Sequence, residues 1–489
     1  MLTVKKIEKF DCDVIIAGGG PAGSGLAFHL ASSGIHVIVV EAESFPRDKV
    51  CGDGVSPLAL AEMKKMGITQ SDHFKQANEI KQVGLFIKND TVFIPLSKPE
   101  NLPFHARIIP RLALDHWISD AAKKAGAQFV EQTRITGYRV NDEGVMATLK
   151  QGFTQYNLKA KIIIGADGSS STISRQLNGN KPKDEYQLLG LRAYYKNVNG
   201  PSDRVDIYFA EDSFPGIFWM FPIAPDGANI GMALVSKTLP TKPSHVKELL
   251  LQHINNNPAI KERIGHGIRE GKIQGWPITF YNHKSLLYSD RVLLVGEAAG
   301  LINPLSGDGI QYALLSANWA SEVIVNCIKN NEFTKTALAA YKTKVNKELG
   351  FDFALSNLLI QFPRNKSFSK IWMSILEIMI ARAKKDKDYA DIIAGIFEGT
   401  YPSYTALTVP FILKSLKEGG GTLTGSMLKY LKSPEGIPDT FLDNLNNLAS
   451  LFDELKIYRK ENIAWIKTTA GKTFTLSNEM IKHWVKKNE

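Results

Sequence analysis

Only three cysteines, Cys12, Cys51 and Cys327, occur in 489 residues, and they stand far apart. They offer neither a disulfide framework nor a paired metal-binding motif, so a stapled secreted module is excluded and a reducing, cytoplasmic setting is expected. No stretch approaches the roughly 18 apolar residues of a membrane-spanning helix. The apolar run at Val14 is broken by glycine too soon to be a signal-peptide core. Internal repeats and low-complexity tracts are absent. So is any basic cluster interleaved with aromatics, and a nucleic-acid partner is not expected. The remainder is ordinary for a globular protein: 44% hydrophobic and 22% charged, with length for two or three domains. The formal net charge of +10 suits an anionic cofactor or a membrane surface, and equally well a solvated lysine-rich exterior.

What the sequence does have is a complete βαβ unit at its start. Val14 to Ala17 is a short apolar run, as expected for a strand buried on both faces. Gly18-x-Gly20-x-x-Gly23 follows at once, then a helix over Ser24 to Ser32 stopped by Gly34, then a second apolar strand, Val37 to Val40, closing on Glu41. Each part has a physical task in holding a dinucleotide. Gly18 permits the tight turn, Gly20 lets the backbone approach a pyrophosphate, and Gly23 lets helix and strand pack closely. The helix N-terminus presents free N–H groups, and Glu41 accepts from a ribose hydroxyl.

Next, Phe45 to Pro57 is dense in Gly and Pro and reads as a loop with fixed turns. A helix follows over Leu58 to Met66. Val83 to Ile94 alternates about Asn89-Asp90 as a hairpin, Pro110 opens a helix running to Ala125, Ala127 to Val130 is a strand, and Tyr138 to Leu158 is a meander. Lys161 to Gly165 and Arg291 to Val295 are further buried strands, each ending in a small-residue turn. Between them Leu188 to Val235 is strand-like, and His245 to Ile264 reads as one helix. Asn303 to Gly309 leads into a long amphipathic helix to about Ile328. The rest is mostly helical, with a break at Gly419-Gly420-Gly421 and a lysine-rich end.

Three glycine-bearing turns are then in hand: Gly18 to Gly23, Gly165-Ala-Asp-Gly168 and Gly296-Glu-Ala-Ala-Gly300. In order and spacing they resemble the FAD-binding fold of the p-hydroxybenzoate hydroxylase superfamily. The resemblance covers about residues 10 to 330. It implies an α/β Rossmann-like FAD-binding domain (1–80, 105–185 and 285–330), an inserted antiparallel β-sheet substrate domain (81–104 and 186–284), and a helical C-terminal region (331–489). It also implies a cofactor-binding set. This consists of Gly18, Gly20, Pro21, Ala22 and Gly23 in the first turn, Glu41 and Ala42 after the second strand, and Arg47, Cys51 and Gly52 in the loop. Arg111 comes from Pro-Arg-Leu-Ala-Leu-Asp, Ala166, Asp167 and Gly168 from the second turn, and Gly296 and Glu297 from the third. Pro304, Gly307, Gly309 and Ile310 complete it ahead of the helix that points at the flavin. Glu297 replaces the usual Asp, which keeps the charge and adds a methylene.

Within that superfamily, Lys49-Val-Cys51-Gly52-Asp-Gly54 resembles the Lys-x-Cys-Gly-x-Gly loop of geranylgeranyl reductases. Trp219-Met-Phe221-Pro222, with Gly231 beyond, is similar to their substrate-domain motif of aromatic, x, Trp, x, Phe, Pro, with Ile217 in place of the first aromatic. This resemblance implies reduction of isolated C=C bonds in a polyprenyl, geranylgeranyl-type chain on a lipid or quinone, by hydride from reduced flavin. The reductant behind the flavin is either NAD(P)H or a ferredoxin-like donor. An isolated alkene also needs a proton, so the site requires one donor and an apolar tunnel. Cys51 is the candidate to give or relay that proton or to hold the substrate, with Gly52, Trp219 and Phe221 beside it and Phe218 as a further tunnel aromatic. For each aromatic, core packing competes equally. A flavin monooxygenase or halogenase acting on an aromatic substrate is the alternative function, and a flavin-binding electron carrier is a third. Ile371 to Ile380, followed by Arg382-Ala-Lys-Lys385, and Leu407 to Leu416 suit either a membrane surface, as peripheral contact, or a helical cap on the catalytic domain.

Overall fold

The computed structural model describes residues 10–407 and 459–487, apart from 89, 99, 181, 212, 213 and 239–244. A six-stranded sheet runs in the order Tyr288–Ser289, Val292–Leu294, Ile162–Gly165, Val14–Ala17, Val37–Val40, Gln128–Val130. All pairs are parallel except the edge pair Tyr288–Ser289 with Val292–Leu294. The central strands are wholly buried because helices cover both faces, which is why they read as unbroken Val/Ile runs. Register aligns Ala17 with Gly165 on one side and Val40 on the other, so three turns leave the same edge together. Ligands of open parallel sheets bind at this edge. The first helix is Pro21–Ser32, starting three residues before Ser24 because Pro21 preorganises its first turn.

Helix Arg111–Lys124 follows, and the meander is a separate three-stranded sheet of Arg134–Val140, Val145–Gln151 and Thr154–Ala160. A seven-stranded sheet runs Ile268–Thr279, Gln187–Lys196, Gly227–Val235, Gly216–Ile223, Arg204–Phe209, Gln82–Ile87, Asp90–Pro95. The hairpin Gln82–Ile87 with Asp90–Pro95 forms as read, with Asn89 outside the described residues. It joins the sheet by a parallel pairing of Gln82–Ile87 with Arg204–Phe209, so this sheet is mixed rather than purely antiparallel.

Each face of the seven-stranded sheet is covered. On one, Tyr208, Phe218 and Met220 pack against Leu250 and Ile260. These come from two helices, Val246–Asn256 and Pro258–Ile264, where the sequence pattern suggested one. Pro258 has no N–H to continue the first helix, and the Asn257 side chain accepts from Ile260 N to begin the second. On the other face, Leu85, Ile94 and Ile207 meet Met373, Ile380, Tyr389 and Ile393. Those belong to helices Ser369–Ala383 and Lys387–Glu398, which follow Ile310–Asn330 and Lys335–Gln361. Full burial of each such side chain contributes about 1.5–3 kcal/mol. Thus the helix carrying the Ile371 to Ile380 stretch packs as a cap on the sheet. Arg382 pairs with Asp386, and Lys384 with Asp90. The second apolar stretch beyond Leu407, through Leu416, and the Gly419 to Gly421 break lie outside the described residues. Among the described residues no helix is long and apolar enough to cross a membrane.

Candidate functional site

The three turns open onto one cavity of about 1820 Å³. At its first end Gly18 adopts φ +94°, and a Cβ there would fall 2.5 Å from Ala166 O. A Cβ on Gly23 would fall 1.9 Å from Gly18 O. Both glycines are therefore required by close backbone approach. Gly20 differs: the nearest atoms to its would-be Cβ are guanidinium nitrogens of Arg47 at 3.8 Å and Arg111 at 3.9 Å. Above Gly20 there is thus open space bounded by two cations and the N-terminus of Pro21–Ser32. No side chain caps that helix, and no acid lies in its first turn. This is a diphosphate cradle in its chemistry. Pro21, Ala22, Glu41 and Ala42 line the same cavity. Glu41 also shapes the loop: its Oε2 accepts from Gly19 N at 2.8 Å and from Arg47 at 3.3 Å, and its Oε1 from Glu43 N at 3.1 Å.

The two arginines are held by Asp115. Arg111 donates to both its oxygens at 2.6 and 2.7 Å, and Arg47 to one at 2.7 Å. Burial alone would raise the Asp115 pKa, but Arg111 and Arg47 overcome it and hold the carboxyl below its usual range. Asp115 was not singled out from sequence. Its signal is the four-residue spacing from Arg111 on one helix face.

Ala166, Asp167 and Gly168 line the cavity from the second turn. The Asp167 carboxylate accepts from Ser171 Oγ and from Thr172 N, so much of its capacity goes to capping helix Thr172–Asn178. In the third turn Gly296 has φ +56°, and a Cβ would meet that of Ala22 at 2.6 Å. Gly23 and Gly296 do not line the cavity; they let its walls come together. Glu297 does line it, and accepts from Lys49 Nζ at 2.8 Å and Thr279 N at 3.3 Å. Pro304, Gly307, Gly309 and Ile310 form the wall where helix Ile310–Asn330 begins, again with no side-chain cap. Two uncapped helix N-termini, two cations and a carboxylate at each end fit FAD.

Past the cradle the cavity meets the loop bearing Cys51 and Gly52. Burial pushes the thiol pKa up, and Arg111 only partly opposes this. A Cβ on Gly52 would lie 3.3 Å from the Phe221 ring and 3.6 Å from Trp219 Nε1, so the loop lies flat on the aromatics of strand Gly216–Ile223. Trp219 Nε1 donates to Asn229 Oδ1 at 2.9 Å. Asn229 Nδ2 donates to Cys51 O at 2.7 Å and to Asp53 Oδ2 at 2.8 Å, and Tyr194 OH donates to the same oxygen at 2.7 Å. Asp53 is wholly buried, with left-handed φ 64°. Arg192 grips the loop through Asp48, at 2.8 and 2.7 Å. Asn229, Tyr194, Asp53 and Arg192 were missed by sequence reasoning. Only Asp53 carried a signal, sitting between two glycines. Phe218 is a correction. Strand alternation sends Ile217, Trp219 and Phe221 to the cavity and turns Phe218, 1% exposed, to the opposite face.

Beyond Phe221 the cavity continues as an apolar channel. One wall is the sheet, with Leu85, Ile207, Phe209 and Ile217. The other is the C-terminal helices, with Trp372, Leu376, Met379, Ile393 and Phe397.

A family model described as "FAD binding domain" matches residues 11–342. Conditioned medium factor receptor 1 of Dictyostelium discoideum is 28% identical over 370 residues, covering 72% of this chain and 71% of its own. Digeranylgeranylglycerophospholipid reductase 2 of Methanosphaera stadtmanae is 28% identical over 345 residues, covering 70% and 84%. Among solved structures, the flavin-dependent brominase Bmp2 superposes with a TM-score of 0.65 at 19% identity, covering 84% of this chain and 99% of that one. The last likeness concerns the fold.

Proposed function

The chain belongs to the FAD-binding domain family and is an FAD-dependent oxidoreductase; from that premise we propose that it saturates isolated C=C bonds of a polyprenyl chain carried by a lipid or quinone. One observation carries this reading: the cavity runs without a break from the dinucleotide turns, past Cys51 and Gly52, into a channel walled by aliphatic and aromatic side chains. A chain of that shape gains about 0.8 kcal/mol per buried CH₂, with no polar group to satisfy. The similarity to a digeranylgeranylglycerophospholipid reductase supports the same reading.

Bound FAD, once reduced, supplies hydride. Gly18, Gly20 and the N-terminus of Pro21–Ser32 hold its pyrophosphate, with Arg47 and Arg111 balancing the charge, and Glu41 orients the adenosine ribose. Glu297 faces the ribityl region. Cys51 and Gly52, pressed against Trp219 and Phe221, fix where the alkene lies, and the C-terminal helices exclude water from the chain. In domain terms, the described residues of 1–80, 105–185 and 285–330 hold the cofactor, those of 81–104 and 186–284 supply one channel wall, and those of 331–489 supply the other. The reductant behind the flavin is a nicotinamide or a ferredoxin-like donor, and the substrate is drawn from a membrane surface.

The test is anaerobic. Dithionite-reduced protein is incubated with a geranylgeranylated glycerolipid, and the lipid is weighed by mass spectrometry. Two mass units gained per double bond is the expected result. Oxygen consumption dependent on an aromatic substrate, with no change in the prenyl lipid, would instead mark a monooxygenase or halogenase.

A further inference from the structure

Two carboxyl groups line the cavity with no cation set against either. Asp308 stands just before helix Ile310–Asn330. The residue is half-buried, but its Oδ2 is shut from water and has no hydrogen-bond partner among the described residues. Its other oxygen takes only a long bond from Gln311 N, at 3.5 Å. Glu398 closes helix Lys387–Glu398, beyond the stretch that the family model matches. Its Oε1 is likewise enclosed and unpartnered, while Oε2 receives a 3.5 Å bond from Thr400 Oγ1.

Asp308 reaches the end of that helix at Gly399. A Cβ built there would lie 3.0 Å from Asp308 Oδ2, and Gly399 follows Glu398 directly. Gln311 fastens the junction: its Nε2 donates to Gly399 O at 3.3 Å, and its Oε1 accepts from Ser56 Oγ at 2.6 Å. Enclosing a carboxylate without a counter-ion is costly, and the group relieves that cost by keeping its proton. Burial accordingly lifts both pKa values to about 7, where hydrogen bonds pull only weakly the other way. Tyr312 lies beside Asp308 and also feels Asp352. By contrast Asp115, fully buried, is tied to two arginines that hold its carboxyl below the usual range.

We propose that Asp308 is the acid of this site, held neutral to give its proton to bound substrate. This rests on the reductase reading. In that reaction the alkene π bond is consumed: one carbon takes hydride from reduced FAD, and the other takes the Asp308 proton. The carboxylate left behind is reprotonated from water once product has left. A carboxylic acid near pH 7 is a far stronger donor than a thiol already pushed above its ordinary value, so Cys51 is left to position the chain rather than protonate it.

The test uses the full-length FAD-loaded protein with Asp308→Asn, Asp308→Glu and Glu398→Gln. The first readout needs no turnover: infrared difference spectra between pH 6 and pH 9, in H₂O and D₂O. The protonated-carboxyl C=O signal lost between pH 6 and pH 9 in the parent protein should carry contributions from Asp308 and Glu398; the Asp308 part should vanish in Asp308→Asn, return in Asp308→Glu and remain in Glu398→Gln. The second is prenyl reduction with FAD content and dithionite reduction of the flavin measured alongside. Asp308→Asn should keep both and lose about 100-fold or more in turnover. An unchanged infrared band in Asp308→Asn, or parental turnover by that variant, overturns the assignment. If the parent protein reduces no prenyl lipid, the reductase reading fails, and the infrared band alone then decides whether Asp308 is a neutral acid.

Discussion

The ammonium of Lys49 sits 2.8 Å from the Glu297 carboxylate, joining residues 248 positions apart. It ties the cysteine loop to the third glycine turn, so the two cannot move independently across the cavity. The extra methylene of Glu297, relative to aspartate, is what carries its Oε2 to Lys49 while Oε1 stays with Thr279 N. Replacing Glu297 with Gln removes the charge from both the ion pair and the cofactor-facing surface. FAD affinity, read by flavin fluorescence quenching, should weaken by about 1–3 kcal/mol. Unchanged affinity would mean that the side chain belongs to Lys49 alone.

Gly20 and Gly23 should respond differently to added bulk. Around Gly20 nothing in the protein lies closer than 3.8 Å to a new Cβ, so Gly20→Val should fold. It should nonetheless purify colourless, because the added atoms occupy the pyrophosphate position. Gly23→Ala meets backbone at 1.9 Å and should fail to give a stable protein at all. Circular dichroism and flavin absorbance on the two variants separate the cases. A yellow Gly20→Val protein would refute the cradle.

Asp53 gives a pH signature. Burial lifts its pKa from 3.8 to about 6, against the pull of Asn229, Tyr194, Arg192 and Arg111. Because the folded value is the higher one, the stabilisation is complete below about pH 4 and is lost as pH rises through 6. Asp53→Asn, which tolerates the same left-handed backbone, removes that slope. Between pH 4 and 7 the parent protein should lose more stability than the variant, by up to about 3 kcal/mol in urea melts. Parallel curves would show that Asp53 titrates normally.

Cys51→Ser should keep FAD and fold, and flavin reduction by dithionite should be unaltered. If the sulfur sets where the chain lies against Trp219, prenyl turnover should fall or the position of the saturated bond should shift. Product analysis by mass spectrometry after anaerobic turnover is the check. A parental rate and product pattern would return Cys51 to packing.

The cofactor half of the molecule was legible because its signals are local. Strand, glycine turn, helix and acid follow one another without interruption from Val14 to Glu41, and parallel strands advertise themselves as unbroken apolar runs. The hairpin and meander were legible for the same reason. The site's second half was not. Asn229 matters because strand pairing sets it opposite Phe221 and under the cysteine loop, 178 residues from Cys51. Pattern alone gave Phe218 the same weight as Trp219, since both are aromatic and only register distinguishes their faces. Asp308 and Glu398 look like an ordinary turn residue and an ordinary helix end. Their enclosure appears only when the C-terminal helices close over the channel.

The parallel seam between Gln82–Ile87 and Arg204–Phe209 also governs when this protein is able to fold. Hairpin 82–95 emerges from the ribosome more than a hundred residues before its partner and has no local neighbour to bury its apolar face. Until residue 209 is made its strand edge is open as well, its apolar face waits for the helices at 369–398, and such pairing at long sequence separation is slow. The nascent chain should therefore depend on chaperones in this interval, and substitutions that weaken the seam should lower yield more than they lower the stability of the finished protein.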